Sequence, residues 1–178
     1  HSPSRRQRQM CIRDRRMKED KATMFGGVKR LQQCLSEAGI ERCVVLCGDE
    51  ERANMFEGEV MSDPPGVEGL HRIIFWLLDT IDDGIFLVPC DAFLLTKEAV
   101  QALLEASPNG GVPLDEARRR QPLFAHLPNG ITVDKEGQNV RELMQGLDSI
   151  DVHPYGSAFT NFNRPADLQH PLLKQQRH

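Results

Sequence analysis

The sequence predicts an α/β fold with a mostly parallel sheet and helices on both of its faces, and three observations carry that expectation. Short apolar or β-branched runs alternate with helical patterns along most of the chain, the order that builds a parallel sheet through crossover connections. The stretch 85–89, Ile-Phe-Leu-Val-Pro, shows no polar alternation, as expected of a strand covered on both faces. Asp91 stands directly after that strand, at the kind of position where open sheets gather ligands.

Val28, Leu31, Cys34, Leu35 and Ala38 recur with helical spacing and stop at Gly39, a glycine placed to cap the C-terminus. Residues 42–47 then read as a strand closed by Gly48-Asp49, and a weaker strand covers 58–61. After the turn Asp63-Pro64-Pro65-Gly66, apolar positions at Leu70, Ile73, Ile74, Leu77, Leu78 and Ile81 form the stripe of a helix with one buried face. Asp82-Asp83-Gly84 ends it and leads into the strand 85–89. Thr96 caps a further helix through Ala106, with Glu98 in its first turn and Pro108-Asn109-Gly110-Gly111 as the break. A short apolar piece at 111–114, a run at 122–127, a helix near 139–147, a strand near 150–153 and a closing helix from Arg164 complete the chain.

The length of 178 residues and 39% apolar content suit one domain with one sizeable core. The net charge of −4 divides unevenly: residues 1–16 carry six arginines and one aspartate, a balance of +5, which leaves −9 for the rest. Residues 1–15 read as a non-native, adaptor-like segment, expected to be disordered, and 16–178 as the functional domain. The acidic remainder lacks the electrostatic footprint of a nucleic-acid module. No apolar run reaches the length that spans a bilayer, and the basic start has no apolar core of the kind a secretory signal needs. Five cysteines without a paired framework point to reduced thiols and a cytoplasmic location. Cys43 and Cys47 fall on one face of a strand, which favours packing over metal binding.

Two stretches could carry chemistry. Asp91, directly after the strand 85–89, is a carboxylate that can hold a hard cation such as Mg²⁺, which takes one or two carboxylates together with phosphate oxygens; a surface turn acid or helix cap explains the position equally well. Asp63 opens a stiff loop ending in Gly66-Val67-Glu68-Gly69, whose glycines let backbone approach a ligand at a helix start. An ordinary proline turn is the simpler account of that loop taken alone.

Taken together, these stretches resemble the molybdenum cofactor guanylyltransferases, from Arg16 almost to the end of the chain. Residues 16–22, Arg-Met-Lys-Glu-Asp-Lys-Ala, resemble the second half of that family's N-terminal signature. Residues 63–69 resemble its Asp-x-x-Pro-Gly-x-Gly-Pro loop, and Pro89-Cys90-Asp91 with Phe93-Leu94 resembles its Pro-Cys-Asp-x-Pro-Phe-Leu motif. Gln121-Pro122-Leu123 resembles a Gln-Pro-Leu element, and residues 159–168 resemble the closing Phe-x-Asn-x-Asn-Thr-Pro-x-Asp-Leu. The resemblance implies a three-layer Rossmann-like nucleotidyltransferase fold. It also implies that GMP is transferred from Mg-GTP to molybdopterin and that Mg²⁺ is the cofactor. By the same match Lys21 would bind the nucleotide phosphates, Asp63 with Gly66 and Gly69 the nucleoside end of GTP, and Asp91 the metal. Gln121, Pro122, Asn161 and Asn163 would lie on the molybdopterin side, and molybdoenzyme chaperones or cofactor-insertion proteins would be partners.

The sequence departs from that pattern in several places. The family's first strand and glycine-rich phosphate loop should precede Arg16, where the adaptor-like segment stands, so both are expected to be missing, and with them backbone amides that supply much of the binding for a triphosphate. Lys18 replaces the glycine after Arg-Met, Ala92 the proline after the metal acid, and Gly48-Asp49 stands where the family often offers an asparagine to the base. A transferase using CTP or a sugar phosphate, and a non-catalytic nucleotide- or pterin-binding protein, are the alternatives.

Overall fold

In the computed structural model, the described residues are 7–8, 27–162, 167 and 169–174. The elements are β1 (Gln7–Arg8), α1 (Gly27–Glu37), β2 (Val44–Gly48), β3 (Glu59–Ser62), α2 (Leu70–Thr80), β4 (Gly84–Phe86), α3 (Lys97–Ala106), β5 (Val112–Pro113), β6 (His126–Leu127), α4 (Val140–Leu143), β7 (Ser149–Ile150) and α5 (Pro171–Lys174). Three pairs run parallel: β1 with β4, β2 with β3, and β5 with β7. β6 lies antiparallel to β4, and a bridge between Gly111 and His126 joins the β5–β7 pair to it.

The expectation that Ile85 and its neighbours are covered on both faces is met residue by residue. Ile85 and Leu87 pack with Ile73, Ile74 and Leu77 of α2 and Leu143 of α4. Phe86 and Val88, one position out of step, pack with Leu31 and Leu35 of α1, Val100 and Leu103 of α3, and Phe124 and Phe159. Successive side chains of a strand point to opposite faces, so this one segment feeds two cores and the layers are helix, sheet, helix.

Several readings shift against the structure. Gln7 and Arg8, in the segment expected to lack the first strand, pair with Gly84 and Ile85 as β1. Ladder bonds use only backbone groups, and β4 has an edge to satisfy on the side away from β6. The helix expected over 139–147 ends at Leu143, because Arg120 binds the carbonyls of Met144 and Leu147 and draws that backbone aside. The strand expected over 150–153 is Ser149–Ile150, stopped where the Asp151 carboxylate accepts from the His153 amide and folds the chain into a turn. For the closing helix, the expected start at Arg164 lies outside the described residues, among which α5 covers Pro171–Lys174.

Candidate active site

β4 continues as buried extended chain through Val88 and ends in Pro89, Cys90 and Asp91. Tight turns follow at once: the amides of Ala92, Phe93 and Leu95 donate to the carbonyls of Pro89, Asp91 and Ala92 at 3.1, 2.8 and 3.2 Å. Asp91 sits in this turn with 3% of its surface exposed. Arg30 on α1 reaches across to the same turn, donating from Nη2 to the Ala92 carbonyl at 2.6 Å and from Nη1 to the Leu95 carbonyl at 3.0 Å. Cys90 packs with Val28, Val45 and Val60, which ties the turn to α1, β2 and β3.

The ends of β2 and β3 lie side by side. The Asp63 amide donates to the Gly48 carbonyl at 2.9 Å, and the loop from Asp63 then runs outward. Partial desolvation, followed by the charge of Asp49, holds the Asp63 carboxyl above its usual range. Gly66 and Gly69 have φ of +76° and +88°, a region that side chains rarely adopt. At Gly69 a Cβ would also stand 3.0 Å from the His71 ring. Gly69 opens α2, its carbonyl accepting from the amides of Arg72 and Ile73.

On the other side, an open cleft of about 810 Å³ is bordered by Asp115, Arg119, Asn161, Phe162, Asp167 and His170 among others. Asp115, buried two residues after β5, accepts from the Arg119 amide at 2.8 Å, from Arg119 Nε at 3.0 Å and from Gln121 Nε2 at 2.8 Å. That carboxylate shapes the whole 115–121 loop. Pro122 opens the short turn Pro122–Phe124 immediately after it. Asn161 borders the cleft and Gln121 reaches it only through its bond to Asp115, whereas Pro122, Asp91 and Asp63 do not border it. Phe93, two residues after Asp91, stacks on Phe162 with ring centroids 5.4 Å apart, so the acid's turn adjoins the cleft wall. Lys21 and Asn163 lie outside the described residues.

Asp115 and Arg30 did not figure among the expected site residues. Asp115 could have been found by the rule that singled out Asp91, since it too follows a strand. Arg30 gives no sequence signal, because its partners are carbonyls more than sixty positions away.

Other chemistries find little support here. Burial pushes the Cys43 thiol up to about 12 and raises those of Cys34 and Cys47, so these thiols stay protonated at neutral pH. Among the described residues no group of three His, Cys, Asp or Glu side chains could hold a metal ion. A single buried carboxylate at a strand end suits a magnesium ion that shares its coordination with nucleotide phosphates and water, rather than a protein-caged metal. Among the described residues no helix is long and apolar enough to cross a membrane.

A three-layer unit with acids at the carboxyl ends of its strands and a glycine-bearing loop opening a helix has the layout of an α/β nucleotide-handling enzyme. The chain belongs to the family described as the MobA-like NTP transferase domain, which matches residues 13–142, and it is a nucleotidyltransferase. Solved structures that share its fold include the following two. A protein from Aquifex aeolicus VF5 is 16% identical with a TM-score of 0.69, over 91% of this chain and 96% of that one. The molybdopterin-guanine dinucleotide biosynthesis protein A from Archaeoglobus fulgidus is 16% identical with a TM-score of 0.64, over 96% of each chain. No curated protein matches the sequence.

Proposed function

We propose that residues 16–178 form a cytoplasmic transferase domain that joins GMP from Mg-GTP to molybdopterin, giving the guanine dinucleotide form of the molybdenum cofactor. The observation that carries this reading is the position of Asp91, buried at the end of the two-faced strand, in a chain of the MobA-like family. The shared fold with the Archaeoglobus fulgidus protein, which is named for molybdopterin-guanine dinucleotide biosynthesis, supports the choice of guanine and pterin.

In this reading the terminal phosphate oxygen of molybdopterin attacks the α-phosphorus of GTP in line. The bond from that phosphorus to the bridging oxygen breaks, and pyrophosphate leaves with the electron pair. Mg²⁺, when bound, neutralises charge on the phosphate oxygens. The chain's own residues position the partners: Asp91 offers its carboxylate to the metal and Lys21 its ammonium to the phosphates. Asp63, with Gly66 and Gly69 allowing close backbone approach, receives the nucleoside. Gln121 and Pro122, together with Asn161 and Asn163, face the pterin. Such a reaction draws on alignment and charge neutralisation more than on a covalent intermediate. Molybdoenzyme chaperones or cofactor-insertion proteins would take the product.

Calorimetry with Mg²⁺ and either GTP or CTP tests the proposal. GTP is expected to bind in preference to CTP, and Asp91→Ala to abolish the magnesium-dependent part of that binding. Equal binding of both nucleotides would remove guanylyl transfer and leave only the broader transferase class.

A further inference from the structure

We propose that Arg30 is a positioning residue for the Asp91 carboxylate, clamping from helix α1 the turn that carries it. This rests on the reading of Asp91 as the metal-holding acid.

The turn after β4 satisfies the amides of Ala92, Phe93 and Leu95 from within, but its carbonyls have capacity to spare. The Ala92 carbonyl already accepts from the Leu95 amide, and a carbonyl oxygen has two lone pairs. Arg30 Nη2 takes up the second at 2.6 Å, while Nη1 binds the Leu95 carbonyl at 3.0 Å. The two acceptors belong to opposite ends of the Ala92 to Leu95 turn. A guanidinium is suited to this bridge because its donors form a rigid planar fork, whereas an ammonium is a point charge that would satisfy one acceptor well at a time. Cys34, one helical turn further along α1, directs its thiol at the same Leu95 carbonyl at 3.8 Å. Ala92 is the residue next to Asp91, so fixing its peptide fixes the direction in which the acid leaves the chain. An acid meant to meet a metal on a nucleotide gains from being held in place beforehand, since alignment is the main contribution the protein makes to such a reaction.

Magnesium titrated into the chain with GTP, followed by calorimetry, reads metal dependence without turnover. Arg30→Met keeps the apolar stem and removes the fork. It is expected to raise the Mg²⁺ concentration for half-maximal GTP binding by roughly 10–100-fold, the usual effect of removing a group that orients a metal ligand. It should also speed amide exchange at Ala92, Phe93 and Leu95, and leave metal-free GTP binding unchanged. Arg30→Lys should recover part of the metal dependence. An unaltered Mg²⁺ requirement in Arg30→Met overturns the clamp even if the melting temperature falls, because the two bonds would then serve the fold alone. If Arg30→Met does not fold, Arg30→Lys and Arg30→Gln, each keeping a donor, decide by the same criterion. Asp91→Asn separates the two ideas. Magnesium dependence that survives in Asp91→Asn, or its absence from the unmutated chain, removes the reading of Asp91 and the clamp with it. Dependence lost in Asp91→Asn but untouched in Arg30→Met removes only the clamp.

Discussion

His126 is buried where β6 meets β5, with Nδ1 2.7 Å from the Ser107 carbonyl and 3.0 Å from the Ser107 hydroxyl. That hydroxyl in turn donates to the Leu103 carbonyl. A carbonyl accepts only, so Nδ1 carries the proton and donates to it, fixing the tautomer of the neutral ring. Burial lowers the imidazole pKa, and the Ser107 carbonyl offsets only part of that effect. The unfolded chain therefore binds a proton that the folded chain resists, and stability falls as pH drops below about 6.5, the value for an unperturbed imidazole. Above that value the contribution is fully present. Glu59 and Asp151 have carboxyls held below the usual range, so their losses begin in more acid solution. The raised carboxyl of Asp63 works in the opposite sense. Urea midpoints between pH 5.5 and 7.5 should decline toward the acid side in the unmutated chain and decline less in His126→Gln; parallel profiles would show that the imidazole is not the source.

Helix α3 shows how much an element's ends depend on single side chains. Thr96 holds extended backbone and its hydroxyl accepts from the Ala99 amide at 3.2 Å, satisfying one of the donors that a helix start leaves unpaired. Thr96→Ala should lower the unfolding free energy by about 1 kcal/mol in urea titration, with little change in GTP binding, because the cap faces solvent at the far end of the Asp91 turn. An unchanged urea midpoint would mean that water replaces the cap at no cost. This helix was legible in the sequence because threonine, the acidic first turn and the apolar spacing all agree. The same holds for α2, whose stripe from Leu70 predicts its buried residues Ile73, Ile74 and Leu77. What could not be read locally was decided by distant partners. Arg120 shortens α4 by taking the carbonyls of Met144 and Leu147, and Asp151 closes β7 early. The antiparallel placement of β6 follows from its pairing with β4, not from anything in His126 or Leu127 themselves. The candidate site divides in the same way. Asp91 and Asp63 could be picked out because strand ends and glycine loops are local signals, while the bonds from Arg30 and the Asp115 hub required the fold.

At the scale of the whole molecule, the segment running from β4 to Asp91 links both helical layers to the candidate site. Phe86 is wholly buried among residues of α1 and α3, while its neighbours Ile85 and Leu87 face α2 and α4. A change on one face should therefore be felt on the other, because the same backbone carries both. Phe86→Ala removes a large side chain from a closely packed layer and is expected to cost about 3–5 kcal/mol. The single tryptophan, Trp76, belongs to α2 and packs against the core of the opposite layer. Its fluorescence thus reports on the face that the mutation does not touch, while far-ultraviolet circular dichroism follows all the helices. If the two layers are one cooperative unit, both signals should shift to lower urea together and their transitions should coincide. A tryptophan transition that keeps its original midpoint while the dichroism moves would mean that the layers unfold separately. The strand would then not couple them, and Asp91 could keep its place with only one of the two cores intact.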